Sequence, residues 1–111
     1  MKFKRILNYE GKPLEKKGKW EWDYLVTNVL EFIDNYLENN NLPYATFTGI
    51  KEKYGGLRLD LNGGDENTYG MVLMAEQLSF SYCENCSNKG TSRKINGWYK
   101  TLCDKCFKEV G

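Results

Sequence analysis

CENCSNKGTSRKINGWYKTLCDKC, residues Cys83–Cys106, carries all four cysteines of the chain as two C-x2-C pairs separated by sixteen residues. Two tight knuckles that each present a pair of thiolates, joined by a segment that loops out and back, can complete a tetrahedron around Zn²⁺, and this spacing is that of a zinc ribbon. The insert agrees with that reading. Thr91–Ile95 and Trp98–Leu102 flank Asn96-Gly97, a dipeptide that supplies the two positive φ angles of a type I′ hairpin turn. The ribbon then pairs Ile95 with Trp98, Lys94 with Tyr99 and Arg93 with Lys100. Disulfides or a redox pair are the competing uses of such cysteines. A thioredoxin-like role needs a βαβ setting around one C-x2-C, and none is present. The start, MKFKRILNYEGK, lacks the apolar stretch of a signal peptide, so a reducing cytoplasmic location is expected, without a membrane span. Cys83, Cys86, Cys103 and Cys106 fill zinc's coordination shell and leave no position for water or substrate, which makes the predicted site structural rather than catalytic. Four thiolates and one Zn²⁺ take the formal net charge from +1 to −1. Lys89, Arg93, Lys94, Lys100 and Lys105 can therefore act as cationic neighbours of an anionic centre.

Working upstream, Met71, Met74, Ala75, Leu78 and Tyr82 recur at helical spacing, and Asp65 or Asn67 can cap the N-terminus of a helix running to about Tyr82. Before it, KEKYGGLRL (Lys51–Leu59) reads as a β-hairpin entered through Ala45–Ile50 and turning at Gly55-Gly56. The predicted pairs are Tyr54–Leu57, Lys53–Arg58, Glu52–Leu59, Lys51–Asp60 and Ile50–Leu61. One face is apolar apart from Glu52. The other sets Lys51, Lys53 and Arg58 against a single acid, and opposed like charges call for an anionic partner, for water, or for acids of the same molecule such as Asp34, Glu38 or Asp60. From Trp20 to about Asn39, Trp22, Val26, Val29, Ile33 and Leu37 repeat at helical spacing, with acids opposite, and ENNNLP ends that helix.

Residues 1–19 are weakly patterned and read as a basic N-terminal arm with at most one short strand. The predicted organisation is arm (1–19), helix-hairpin-helix core (20–82) and four-cysteine zinc-ribbon-like module (83–111). The fold class is α+β, two helices packed on a β-hairpin or small antiparallel sheet. The arm carries seven Lys/Arg against two Glu, residues 20–82 carry ten acids against three bases, and residues 83–111 carry six bases against three acids. Such polarity steers encounters, or lets the arm lie on the protein's own acidic helix.

Histidine is absent, which removes the commonest general base and any Ser-His or Cys-His pair. Gly63-Gly64-Asp65-Glu66 spells the first four letters of a nucleotide-cyclase signature, but Asn67 stands where that signature has an aromatic. No carboxylate cluster or phosphate-cradling glycine motif appears. No enzymatic activity is expected. The predicted function is a non-catalytic, zinc-containing interaction protein with a protein partner, its candidate contacts being Lys51, Lys53, Tyr54, Arg58, Arg93, Lys94, Trp98, Tyr99 and Lys100. The alternative is a nucleic-acid-binding module, since cations interleaved with aromatics on two ribbons suit single strands.

GKWEWDYL (Gly18–Leu25), IKEKYGGLRL (Ile50–Leu59), AEQLSFSYCENC (Ala75–Cys86) and NGWYKTLCDKC (Asn96–Cys106) together resemble a family of small uncharacterised proteins of bacteriophages, prophages and bacterial genomes. In that family the hairpin reads like KEKFGGLRF, and the end like CE-x-C, a basic segment, GGW and TLCD. Ser87 stands where the family pattern has a glycine after the first knuckle, and Cys106 where a histidine is often found. The first departure alters a turn; the second keeps a zinc ligand. The resemblance covers most of residues 18–106 and implies this architecture and a phage origin, hence a host protein such as a defence or replication factor as the partner. It implies no mechanism.

Overall fold

The computed structural model describes residues 1–110; Gly111, the last residue of the expected zinc module, lies outside the described residues. Strands β1 (Lys2–Leu7), β2 (Pro13–Glu15), β3 (Ala45–Lys53) and β4 (Gly56–Gly63) form one mixed sheet in the order β2-β1-β3-β4, and β5 (Thr91–Ile95) pairs with β6 (Trp98–Leu102) in a separate ribbon. Helices α1 (Asp23–Asn39) and α2 (Glu66–Leu78) pack on the sheet, a 3₁₀ turn (Ser79–Ser81) follows α2, and α3 (Asp104–Val110) closes the chain. The fold is therefore α+β, as the sequence indicates.

Residues 1–19 are not a free arm. β1 runs parallel to β3 and antiparallel to β2, and it contributes Phe3 and Ile6 to the core. These two stand three residues apart instead of two because the register shifts along β1. There the N–H groups of Lys4 and Arg5 donate to the buried carboxylate of Asp34, with Arg5 N at 2.6 Å from Oδ1. Arg5 also donates to Glu38 at 2.8 Å, and Lys16 pairs with Asp23 at 2.9 Å. The basic N-terminal strands thus lie on the acidic helix.

The core joins Trp22, Val26, Leu30, Ile33 and Leu37 of the α1 segment with Ala45 and Phe47 of β3, Leu57 and Leu59 of β4, and Val72 of α2. Trp22 caps α1 in a left-handed conformation, φ 49°. That costs on the order of 1 kcal/mol, offset by full burial of the ring and by its indole N–H donating to the carbonyls of Ser79 and Tyr82.

The central hairpin differs from the sequence expectation by its turn. Tyr54 (φ 53°) and Gly55 (φ 81°) form the loop, so Lys53 pairs with Gly56, Glu52 with Leu57, Lys51 with Arg58 and Ile50 with Leu59. The shift exchanges partners but preserves faces, because it moves the pairing by an even number of residues. Glycine at 56 is required for another reason: a Cβ there would collide with the ring of Phe80. β4 is an edge strand, and α2 together with the 3₁₀ turn that follows seals it. Ser79 Oγ accepts from Leu57 N–H at 2.9 Å and Glu76 Oε2 from Leu59 N–H at 2.9 Å, so these donors are closed to another chain.

α2 begins where expected, with Asp65 accepting from Thr68 N–H in a capping box. Its buried face is Thr68, Val72 and Ala75; of the predicted stripe Met71, Met74, Ala75, Leu78 and Tyr82, Ala75 is buried, Met71 is partly buried against the core, and Met74, Leu78 and Tyr82 are exposed. Small residues allow the helix to approach β4 closely, and the larger apolar side chains are rotated outward.

Candidate metal centre and hairpin ledge

The four cysteine Sγ atoms all lie within 4.8 Å of one another, with Cys86 and Cys103 at 3.5 Å. A tetrahedron with metal–sulfur bonds of about 2.3 Å has edges of about 3.8 Å, so this thiol set fits one metal ion with small adjustments. Cys83 and Cys106 are buried and Cys86 is exposed. The first knuckle is closed by Ser87 N–H donating to Cys83 O and Cys83 N–H to Asn88 O. Ser87 takes φ 69°, the left-handed turn that favours glycine, while its Oγ accepts from Tyr24 N–H at the start of α1. The second knuckle is the first turn of α3, where Cys106 N–H points at Cys103 Sγ and Phe107 N–H donates to Cys103 O.

Burial pushes the Cys83 thiol up, but backbone N–H groups of Cys103, Cys86 and Asn85 outweigh it and bring it to about 7. The hydrogen bond to Cys103, then burial and contact with Cys83 and Cys86, pushes Cys106 up to about 12. One thiolate therefore forms readily, and further negative charge is resisted until a cation enters the cluster.

Around this centre the β5–β6 register is the predicted one: Ile95 opposite Trp98, Lys94 opposite Tyr99, Arg93 opposite Lys100, with Asn96 and Gly97 both at positive φ. Three of the candidate contact cations turn inward to acids of the same chain. Arg93 donates to Asp104 Oδ1 at 2.5 Å and to Leu102 O, and stacks over Phe107. Lys100 reaches Glu84 Oε1 at 3.2 Å, and Arg58 reaches Glu76 at 3.3 Å. Arg58 thus supports the glutamate that seals the sheet edge. Lys51, Lys53 and Lys94 make no ion pair among the described residues and stand exposed.

Sequence reasoning passed over Glu76, Glu84, Asp104 and Thr101. Glu84 is buried, its backbone bridges Trp22 N–H and Thr101 O, and burial raises its carboxyl while Lys100 pulls it down. Its position inside CENC, directly after a ligand and thus in a knuckle that must pack, was the available signal. Thr101 Oγ1 donates to Gly55 O at 2.7 Å, and a Cβ at Gly55 would crowd Tyr99 and Lys100. The tip of the β3–β4 hairpin therefore packs against β6. Their junction is a shallow recess of about 350 Å³ lined by Glu52, Lys53, Tyr54, Gly97, Trp98 and Tyr99. Tyr54 and Trp98 are each 73% exposed.

No helix among the described residues is long and apolar enough to cross a membrane. No protein-family model, curated protein or solved structure matches the chain.

Proposed function

We propose that the protein is a non-catalytic interaction module whose thiolate cluster holds a structural Zn²⁺ and whose contact surface is the ledge at the two hairpin tips. The observation that carries this reading is the pair of exposed aromatics, Tyr54 and Trp98, held beside Tyr99 by backbone contact between two separate ribbons. Exposed Trp and Tyr on rigid supports are the side chains that dominate protein interfaces. Zinc suits an all-thiolate set, and full coordination confines it to holding the second ribbon in place. A protein partner is favoured over nucleic acid because Arg58, Arg93 and Lys100 pair with acids of the same chain and the recess sets Glu52 beside Lys53, so the ledge itself carries no net positive charge for phosphates. With the phage origin its motifs suggest, the partner is a host protein such as a defence or replication factor.

The test is affinity capture from a nuclease-treated host lysate with wild-type protein and with the Tyr54→Ala/Trp98→Ala variant. A stoichiometric protein retained by the wild type and lost by the variant is the expected result. Recovery of no such protein, together with oligonucleotide binding that falls steeply with salt, would establish the nucleic-acid reading instead.

A further inference from the structure

We propose that the groove between α1 and α2 is a second docking site, built to take a basic amphipathic helix from a partner protein. Leu25, Val29 and Phe32 of α1 face Met71, Met74 and Leu78 of α2 across a groove of about 520 Å³. Phe32 is 63% and Met74 67% exposed. Because the small residues of α2 face the sheet, Met74 and Leu78 stand exposed while Met71 packs at the margin of the core, and a contiguous exposed apolar strip of this kind marks a binding surface. The groove shares no residue with the hairpin ledge.

Its shape and charge select the occupant. The two helices run in opposite directions, since Tyr36 near the end of α1 bonds Asp65 and Asn67 at the entry to α2, whereas Leu25 and Leu78 share the other end. From Leu25 to Phe32 the trough extends about 10 Å, two helical turns. Flexible methionines let such a trough adapt to helical side chains spaced at i, i+3/i+4 and i+7. α1 and α2 contain six acids and neither Lys nor Arg. Asp23, Asp34, Glu38 and Glu76 are engaged within the chain. Glu31 and Glu66 form no ion pair among the described residues. Glu31 lies one turn from the groove-lining Asn28, and Glu66 is the first residue of α2, five residues before the groove-lining Met71. A second copy of this chain would bring the same acids against these, whereas a cationic helix complements them.

The test uses a labelled helical peptide of about three turns, with leucines at amphipathic spacing and lysines elsewhere, in fluorescence anisotropy. Two controls accompany it: the same leucine spacing with glutamates, and a lysine peptide with its leucines scrambled. The amphipathic lysine peptide is expected to bind at least about tenfold more tightly than either control. Phe32→Asp/Met74→Asp should abolish its binding. Glu31→Lys/Glu66→Lys, which leaves the apolar trough intact, should weaken the lysine peptide about fivefold and strengthen the glutamate peptide. Tyr54→Ala/Trp98→Ala should change neither, which separates this site from the ledge. Equal affinity for the lysine and glutamate peptides, or no binding of either, overturns the proposal. So does a sedimenting dimer that Phe32→Asp/Met74→Asp converts to monomer, which would assign the groove to self-association.

Discussion

The sheet-and-helix body and the C-terminal lobe hold their backbones in place by different means. Thirteen buried apolar side chains make the body's core, whereas the lobe's buried cluster contains Leu102 and two cysteines of the four-thiol set. At roughly 1.5–3 kcal/mol for each large apolar side chain fully buried, the body has ample reason to fold without a metal. The lobe does not. On the proposed reading, ligation would replace burial there, with an ion standing where a core would be.

This contrast can be broken most decisively by removing the metal. Chelation, or Cys83→Ser, should abolish hydrogen-exchange protection in β5 and β6 while β1, β3 and α1 keep theirs, since structural zinc sites contribute on the order of 10 kcal/mol or more. Equal loss of protection in both regions would show one cooperative unit instead. The converse substitution is Leu30→Ala in the fully buried stripe of α1. It should cost the body about 2–5 kcal/mol in denaturant unfolding, with metal content per chain unchanged.

A finer measurement concerns Ser87. Replacing it by glycine relieves a left-handed turn worth about 1 kcal/mol but deletes the acceptor for Tyr24 N–H. The net expectation is a gain below about 1 kcal/mol, read as slower metal loss to a competing chelator. The smallest effect concerns Glu84, whose folded-state pKa lies above its ordinary 4.5, through burial first, with Lys100 opposing. A carboxyl raised in this way costs stability increasingly as pH climbs from about 4.5 through its folded value. Wild type should therefore lose ground to Glu84→Gln over that range and match it below. The opposite trend would show that the ion pair with Lys100 outweighs desolvation.

The lobe was the more legible of the two regions. The clustering of its four cysteines, the Asn96-Gly97 turn and the three predicted β5–β6 pairs follow from local chemistry in which spacing alone fixes geometry. In the body, α1 and the Asp65 cap were equally plain. The rest depended on contacts distant in sequence. β1 lost its period-two signal because Asp34 holds two successive N–H groups. Gly56 looked like a turn residue but serves the Phe80 ring, and Tyr54 takes the strained position in its place. The face of α2 was misread because size, not hydrophobicity, decides which side meets β4. The inward pairing of Arg58, Arg93 and Lys100 could not be read locally for Arg58 and Lys100, whose acids lie 18 and 16 residues away.

The indole of Trp22 sets a schedule for folding. Its two carbonyl acceptors lie 57 and 60 residues further along the chain. During synthesis at 5–20 residues per second, that ring waits roughly three to twelve seconds for them. Until then the entry to α1 lacks the bonds that offset its strained start. The first long helix to emerge is thus among the last to be secured.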